Sequence, residues 1–69
     1  MDSNEILSEY KHIEEERMLL AEKIDKYGDT NEFNLMNNCI DKYSILTDKL
    51  DELDLEYQRT KRIEVFLSI

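Results

Sequence analysis

The chain has 69 residues, one glycine, no proline, one cysteine and a formal net charge of −8. That length allows one small domain with little core, and a lone cysteine excludes an internal disulfide framework, so a reducing, cytoplasmic setting is expected. The acidic balance argues against nucleic acid or an anionic membrane as partner, because phosphates are bound by Lys and Arg that displace counterions, and no apolar run approaches the ~20 residues that span a bilayer.

The opening Met1-Asp2-Ser3-Asn4-Glu5 is polar and acidic, unlike the basic-then-apolar order of a targeting signal. Asp2 with Glu5 three residues later reads as a helix N-terminus of the capping-box kind. A seam of Ile6, Tyr10, Ile13, Arg17, Leu20, Ile24 and Tyr27 then alternates steps of four and three, the repeat of a coiled-coil stripe. Arg17 alone breaks its apolar character. Met18-Leu19-Leu20-Ala21 spreads apolar residues beyond that single stripe, which makes Met18 and Leu19 candidate partner contacts.

Gly28 is expected to take the left-handed conformation that closes the first helix, with Asp29 or Thr30 capping the next and Glu32 completing a box. The second apolar series is Phe33, Met36, Ile40, Tyr43, Leu46, Leu50, Leu53 and Tyr57, which slips phase near Ser44 to Thr47. The expected architecture is therefore all-α. It is one domain over 1–69: an antiparallel, coiled-coil-like hairpin with helix 1 at about 3–27, a turn at 28–30 and a longer helix 2 at about 31–66, self-associating into a bundle.

A turn centred near residues 28–29 places Ile6 near Asp51 and Glu52, Ile13 near Ile45, and Arg17 opposite Ile40 and Asp41. A seam Arg needs a partner, so Arg17 and Asp41 are expected to form a structural ion pair. The same register leaves residues 57–69 without a partner in the chain. That tail carries Arg59, Lys61 and Arg62 beside Ile63, Val65, Phe66, Leu67 and Ile69. Ile63, Phe66 and Leu67 share one helical face and are the main candidates for partner binding.

Residues that could carry chemistry are few. Glu9 and His12 have the Glu-x-x-His spacing of carboxylate-bridged metal bundles, but the seam through Tyr10 and Ile13 turns His12 toward solvent, so no metal is expected. Asp48, Asp51, Glu52, Asp54 and Glu56 lack the glycine and alternation of a calcium loop and read as a charged helix face. Cys39 has no base near it, and no nucleotide- or cofactor-binding motif is present, so no cofactor is expected.

One constellation goes further. The spacing Ile13…Arg17…Leu20…Gly28, followed by Asn37-Asn38-Cys39-Ile40-Asp41-Lys42-Tyr43, resembles the small stage-zero sporulation aspartyl-phosphate phosphatases. The resemblance implies a two-helix hairpin that removes phosphate from a response-regulator aspartate. Against that family's Ser-Gln-x-Leu-Asp signature, Asn37 stands for the Ser, Asn38 for the Gln, Ile40 for the Leu and Asp41 for the Asp, with one residue deleted after Gly28. In this role Asn38 and Asp41 are the candidate catalytic pair, an amide and a carboxylate placed to orient and activate a water for in-line attack. The turn segment Gly28-Asp29-Thr30-Asn31-Glu32-Phe33 is also similar to that of the helical-hairpin co-chaperones of type III secretion needle subunits. The expected function is a non-enzymatic module that binds another protein, as adaptor, inhibitor or chaperone-like regulator, with the phosphatase as the alternative.

Overall fold

The computed structural model describes residues 2–68 and is an all-α antiparallel hairpin: α1 (Ser3–Asp29, 27 residues) and a longer α2 (Phe33–Ser68, 36 residues). Together they form a rod of 57 × 14 × 13 Å. Met1 and Ile69 lie outside the described residues. Asp2 is extended and its Oδ1 accepts the Glu5 N–H at 2.8 Å, so the expected N-terminus of α1 forms where the capping residues stand.

The reversal comes later than the glycine. α1 runs through Gly28 to Asp29, and the residue with positive φ is Asn31, at 60°. The Glu32 N–H donates to the Tyr27 carbonyl at 2.9 Å and the Asn31 N–H to the Gly28 carbonyl at 3.3 Å. This pair of bonds is the Schellman closure, with asparagine in the left-handed position that glycine usually fills. Thr30 adds a hydroxyl within 3.3 Å of the Lys26 and Tyr27 carbonyls and 2.7 Å from Glu32 Oε2. The Glu32 carbonyl accepts the Met36 N–H and so begins α2, which leaves Asp29 inside α1 instead of capping α2.

Gly28 is thus an ordinary helical residue, and a Cβ there would meet Met36 Sδ at 3.5 Å, a normal contact. Gly28→Ala should therefore raise stability by about 0.5–1 kcal/mol, through helix propensity and a less flexible unfolded chain. Asn31→Ala should lower it by about 1 kcal/mol, through the left-handed penalty. Thermal melts followed by circular dichroism check both, and a loss on Gly28→Ala would return the left-handed role to the glycine.

The seam of α2 is more regular than its apolar residues suggest. The seam positions, all buried or half-buried, are Met36, Cys39, Tyr43, Leu46, Leu50, Leu53, Tyr57, Thr60 and Glu64, an unbroken alternation of three and four, with half-buried Thr47 beside Leu46. Cys39 is buried in the place expected for Ile40, which is 42% exposed. A free thiol packs as a small apolar group, and with it in the series the phase slip near Ser44 disappears. On α1 the matching seam starts one position earlier than expected, at buried Ser3.

The register follows from the later turn. The main cross-helix contacts lie several residues further along α2 than a turn at Gly28 would give, as Ser3 with Glu64 and Arg17 with Thr47 show. Arg17 accordingly does not pair with Asp41: its Nη1 donates to Thr47 Oγ1 at 3.4 Å and its guanidinium lies 5.4 Å from the Tyr43 ring centroid. Ile45 points outward, 65% exposed, and is not a partner of Ile13. The expected overhang shrinks too, since Thr60 and Glu64 still face α1. Burial concentrates at the end away from the turn, where Ile6, Ile13, Leu50 and Leu53 form the core with Tyr10, Leu46 and Tyr57 packed against it.

Candidate functional site

Two helices lying side by side cover one stripe of each other. The rest of each helix faces solvent, and here that remainder is rich in apolar side chains. Met18, Leu19, Ile63, Phe66 and Leu67 are all exposed, Phe66 and Leu67 each at 76%. They do not form one patch. Leu19 lines a groove along the flank of the hairpin with Leu20, Ile45 and Leu46, bordered by Glu16, Lys23 and Lys42. Phe66 borders a second groove with Tyr57, Gln58, Lys61, Arg62 and Val65. Met18 lines neither groove.

Ile45 is the exposed apolar residue that apolar content alone misses. It sits next to Leu46, and adjacent helical residues point about 100° apart, so the two do not face the same way. Following the seam from Cys39 instead of Ile40 places Leu46 inside and Ile45 outside.

Asn38 and Asp41 are both exposed on α2, three residues apart and so on one helical face. The ion pairs among the described residues are His12 Nε2 with Glu16 Oε1 at 2.9 Å, which requires a protonated imidazole, and Lys49 Nζ with Glu9 Oε1 at 3.6 Å. Glu9 and His12 therefore turn to different neighbours and do not converge. Among the described residues no group of three or more His, Cys, Asp and Glu is placed to hold a metal, and no helix is long and apolar enough to cross a membrane.

The open end of the hairpin carries a contact that the expected register hid. Glu64, near the end of α2, accepts from the first residue of α1 twice: the Ser3 N–H donates to Oε1 at 3.0 Å and the Ser3 hydroxyl to Oε2 at 2.7 Å. Its carboxylate thus satisfies an N–H that α1 cannot bond within itself, at the positive end of that helix. The Ser3 hydroxyl, then the Ser3 N–H, hold the Glu64 carboxyl below the usual glutamate range, helped by Lys61 and opposed by desolvation and Asp2. A lowered folded-state pKa stabilises the fold above the unfolded value and ceases to do so as pH falls through the folded value. The clasp should therefore hold at neutral pH and release only in acid below the ordinary glutamate range. Amide exchange at residues 3–6 should rise there in the native chain, whereas a Glu64→Gln chain should already be frayed at neutral pH. Equal protection in both chains at pH 7 would remove the clasp from the account. No family model matches the chain, and neither a curated protein nor a solved structure matches it.

Proposed function

We propose that this protein is a small acidic helical-hairpin module that binds another protein through its uncovered helix faces, acting as an adaptor, inhibitor or chaperone-like regulator. The observation that carries this reading is the set of large apolar side chains left outside the hairpin seam, from Met18 and Leu19 to Ile45, Ile63, Phe66 and Leu67. A chain with a small core gains nothing in its own folding from these residues, and exposed apolar patches of this kind mark interaction surfaces. A partner helix laid in the Leu19–Ile45 groove would bury apolar area while Glu16, Lys23 and Lys42 set its charge pattern. The free, buried thiol of Cys39 suits a reducing, cytoplasmic setting.

The test is affinity capture from the native host with the wild-type chain and with Leu19→Asp or Phe66→Asp. Both positions are exposed, so helicity should be unchanged. A specific partner should be captured by the wild type and lost, at least tenfold, with one or both variants. Identical capture by all three chains would sink the reading.

A second reading is aspartyl-phosphate phosphatase. What favours it is that Asn38 and Asp41 stand exposed on one face, with Asp41 free of the Arg17 pairing that would have occupied it. Here Asn38 would orient the attacking water and Asp41 would accept its proton. It predicts faster loss of phosphate from a phosphorylated receiver domain, abolished by Asn38→Ala or Asp41→Ala. Unaccelerated loss with the host's response regulators would end it.

A further inference from the structure

Besides its seam toward α1, α2 carries a second stripe at three-and-four spacing. It consists of Ile45, then Asp48 and Glu52, then Leu55, then Arg59 and Arg62, then Phe66, and each of these residues is exposed. The seam residues Leu46, Leu50, Leu53 and Tyr57 lie on the other side of the helix, so this stripe runs along the outer side of α2, with Ile45 at its edge, where it also borders the groove shared with Leu19 and Leu20 of α1. Its order is apolar, two acids, apolar, two bases, apolar. Reversing the direction exchanges the acids for the bases and leaves the three apolar residues in place.

We propose that a second copy of this chain packs antiparallel along this stripe, with the two-fold axis at Leu55. Pairs equidistant from Leu55, to within one residue, then meet across the interface. Leu55 lies on the partner's Leu55, Ile45 on the partner's Phe66, Glu52 faces the partner's Arg59 and Asp48 the partner's Arg62. By symmetry each pairing occurs twice, as an isologous contact requires. A parallel arrangement would set acid on acid and base on base, so the charge order selects the antiparallel one. Ile45, Leu55 and Phe66 are exposed at 65%, 55% and 76%, and this packing covers all three. The opposite-charge pairs that set this arrangement are exposed and screened by salt, which keeps the dimer weak and sensitive to ionic strength. The proposal rests on reading the uncovered helix faces as binding surfaces. It names a second copy as one occupant.

Sedimentation equilibrium of the purified full chain tests it. At a hundred micromolar and low salt the 8.3 kDa mass should double, and half-molar salt should weaken association at least tenfold. An Asp48→Arg, Glu52→Arg chain and an Arg59→Glu, Arg62→Glu chain should each self-associate at least tenfold more weakly. Mixed one to one they should restore the dimer, because every pair across the axis is then opposite in charge. Oxidative cross-linking gives a second check: Ile45→Cys and Phe66→Cys chains should link to each other in preference to themselves, with buried Cys39 left in place. A monomer at all concentrations, reversed chains that associate like the wild type, a mixture that stays monomeric, or cross-links without that preference would overturn it. Leu19 is off the stripe, so capture lost with Leu19→Asp and a dimer lost with the charge reversals are separate results.

Discussion

Leu50→Ala should cost about 2–4 kcal/mol, the largest single loss expected in this protein. Leu50 is 3% exposed and packs with Ile6, Ile13 and Leu53 in the cluster of buried apolar side chains that forms the core. Removing most of its side chain forfeits the transfer free energy and leaves a cavity that two stiff helices close only in part. A chain of this size has roughly 3–5 kcal/mol of stability from its core, so the variant should be largely unfolded near room temperature. Circular dichroism melts of dilute protein, where self-association is negligible, check this against Leu35→Ala. That exposed position should change stability by about 0.5 kcal/mol or less. A Leu50→Ala chain that melts like the wild type would show that the hairpin is not held at this cluster.

Arg17→Leu should work in the opposite direction and raise stability by about 1–2 kcal/mol. Arg17 is the one charged residue in the middle of the α1 seam, half-buried, with a long hydrogen bond to Thr47 and a ring contact to Tyr43 as its compensation. Its removal orphans nothing. The Thr47 hydroxyl keeps its own 2.9 Å bond to the Tyr43 carbonyl, and Leu would continue the apolar series on both sides. Asp41→Asn should be neutral within about 0.5 kcal/mol, because Asp41 is exposed and Arg17 is engaged elsewhere. A destabilised Arg17→Leu chain, or a costly Asp41→Asn, would reinstate an ion pair between the two.

Helix content, hairpin topology and the longer second helix are legible in the apolar spacing, because a stripe of Ile, Leu and Tyr at three-and-four steps can be buried only by a helix against a helix. The point of reversal is not. Glycine is the strongest helix-closing signal, and only the hydrogen bonds around Asn31 show that a tolerant asparagine, with Thr30 before it, closes α1 instead. In a hairpin any displacement of the turn moves each facing partner by twice as much, which is how Arg17 passes from Asp41 to Thr47 and how residues near 60 acquire partners. Cys39 illustrates the second ambiguity: beside Ile40, its burial is decided by phase and not by hydrophobicity. Of the candidate site residues, Ile63, Phe66, Leu67, Met18 and Leu19 stand exposed where an uncovered face requires. Ile45, hidden next to Leu46, needed the correct phase first.

The position of the core has a kinetic consequence. Its contacts join residues near the start of α1 to residues beyond the middle of α2, so they close a loop of most of the chain, whereas the contacts beside the turn, around Tyr27 and Met36, are only half-buried. A hairpin whose strongest layer lay beside its turn would zip outward from that turn. This one must bring distant segments together before most of its apolar burial is realised. Closing a loop of about 45 residues instead of about 10 costs roughly 1.3 kcal/mol more in chain entropy. Folding should accordingly be slower than local helix formation suggests, with a transition state that already joins Ile13 to Leu50. Once folded, the order of opening is reversed: the turn-proximal half should exchange its amide hydrogens first, while the half farthest from the reversal keeps its protection up to global unfolding.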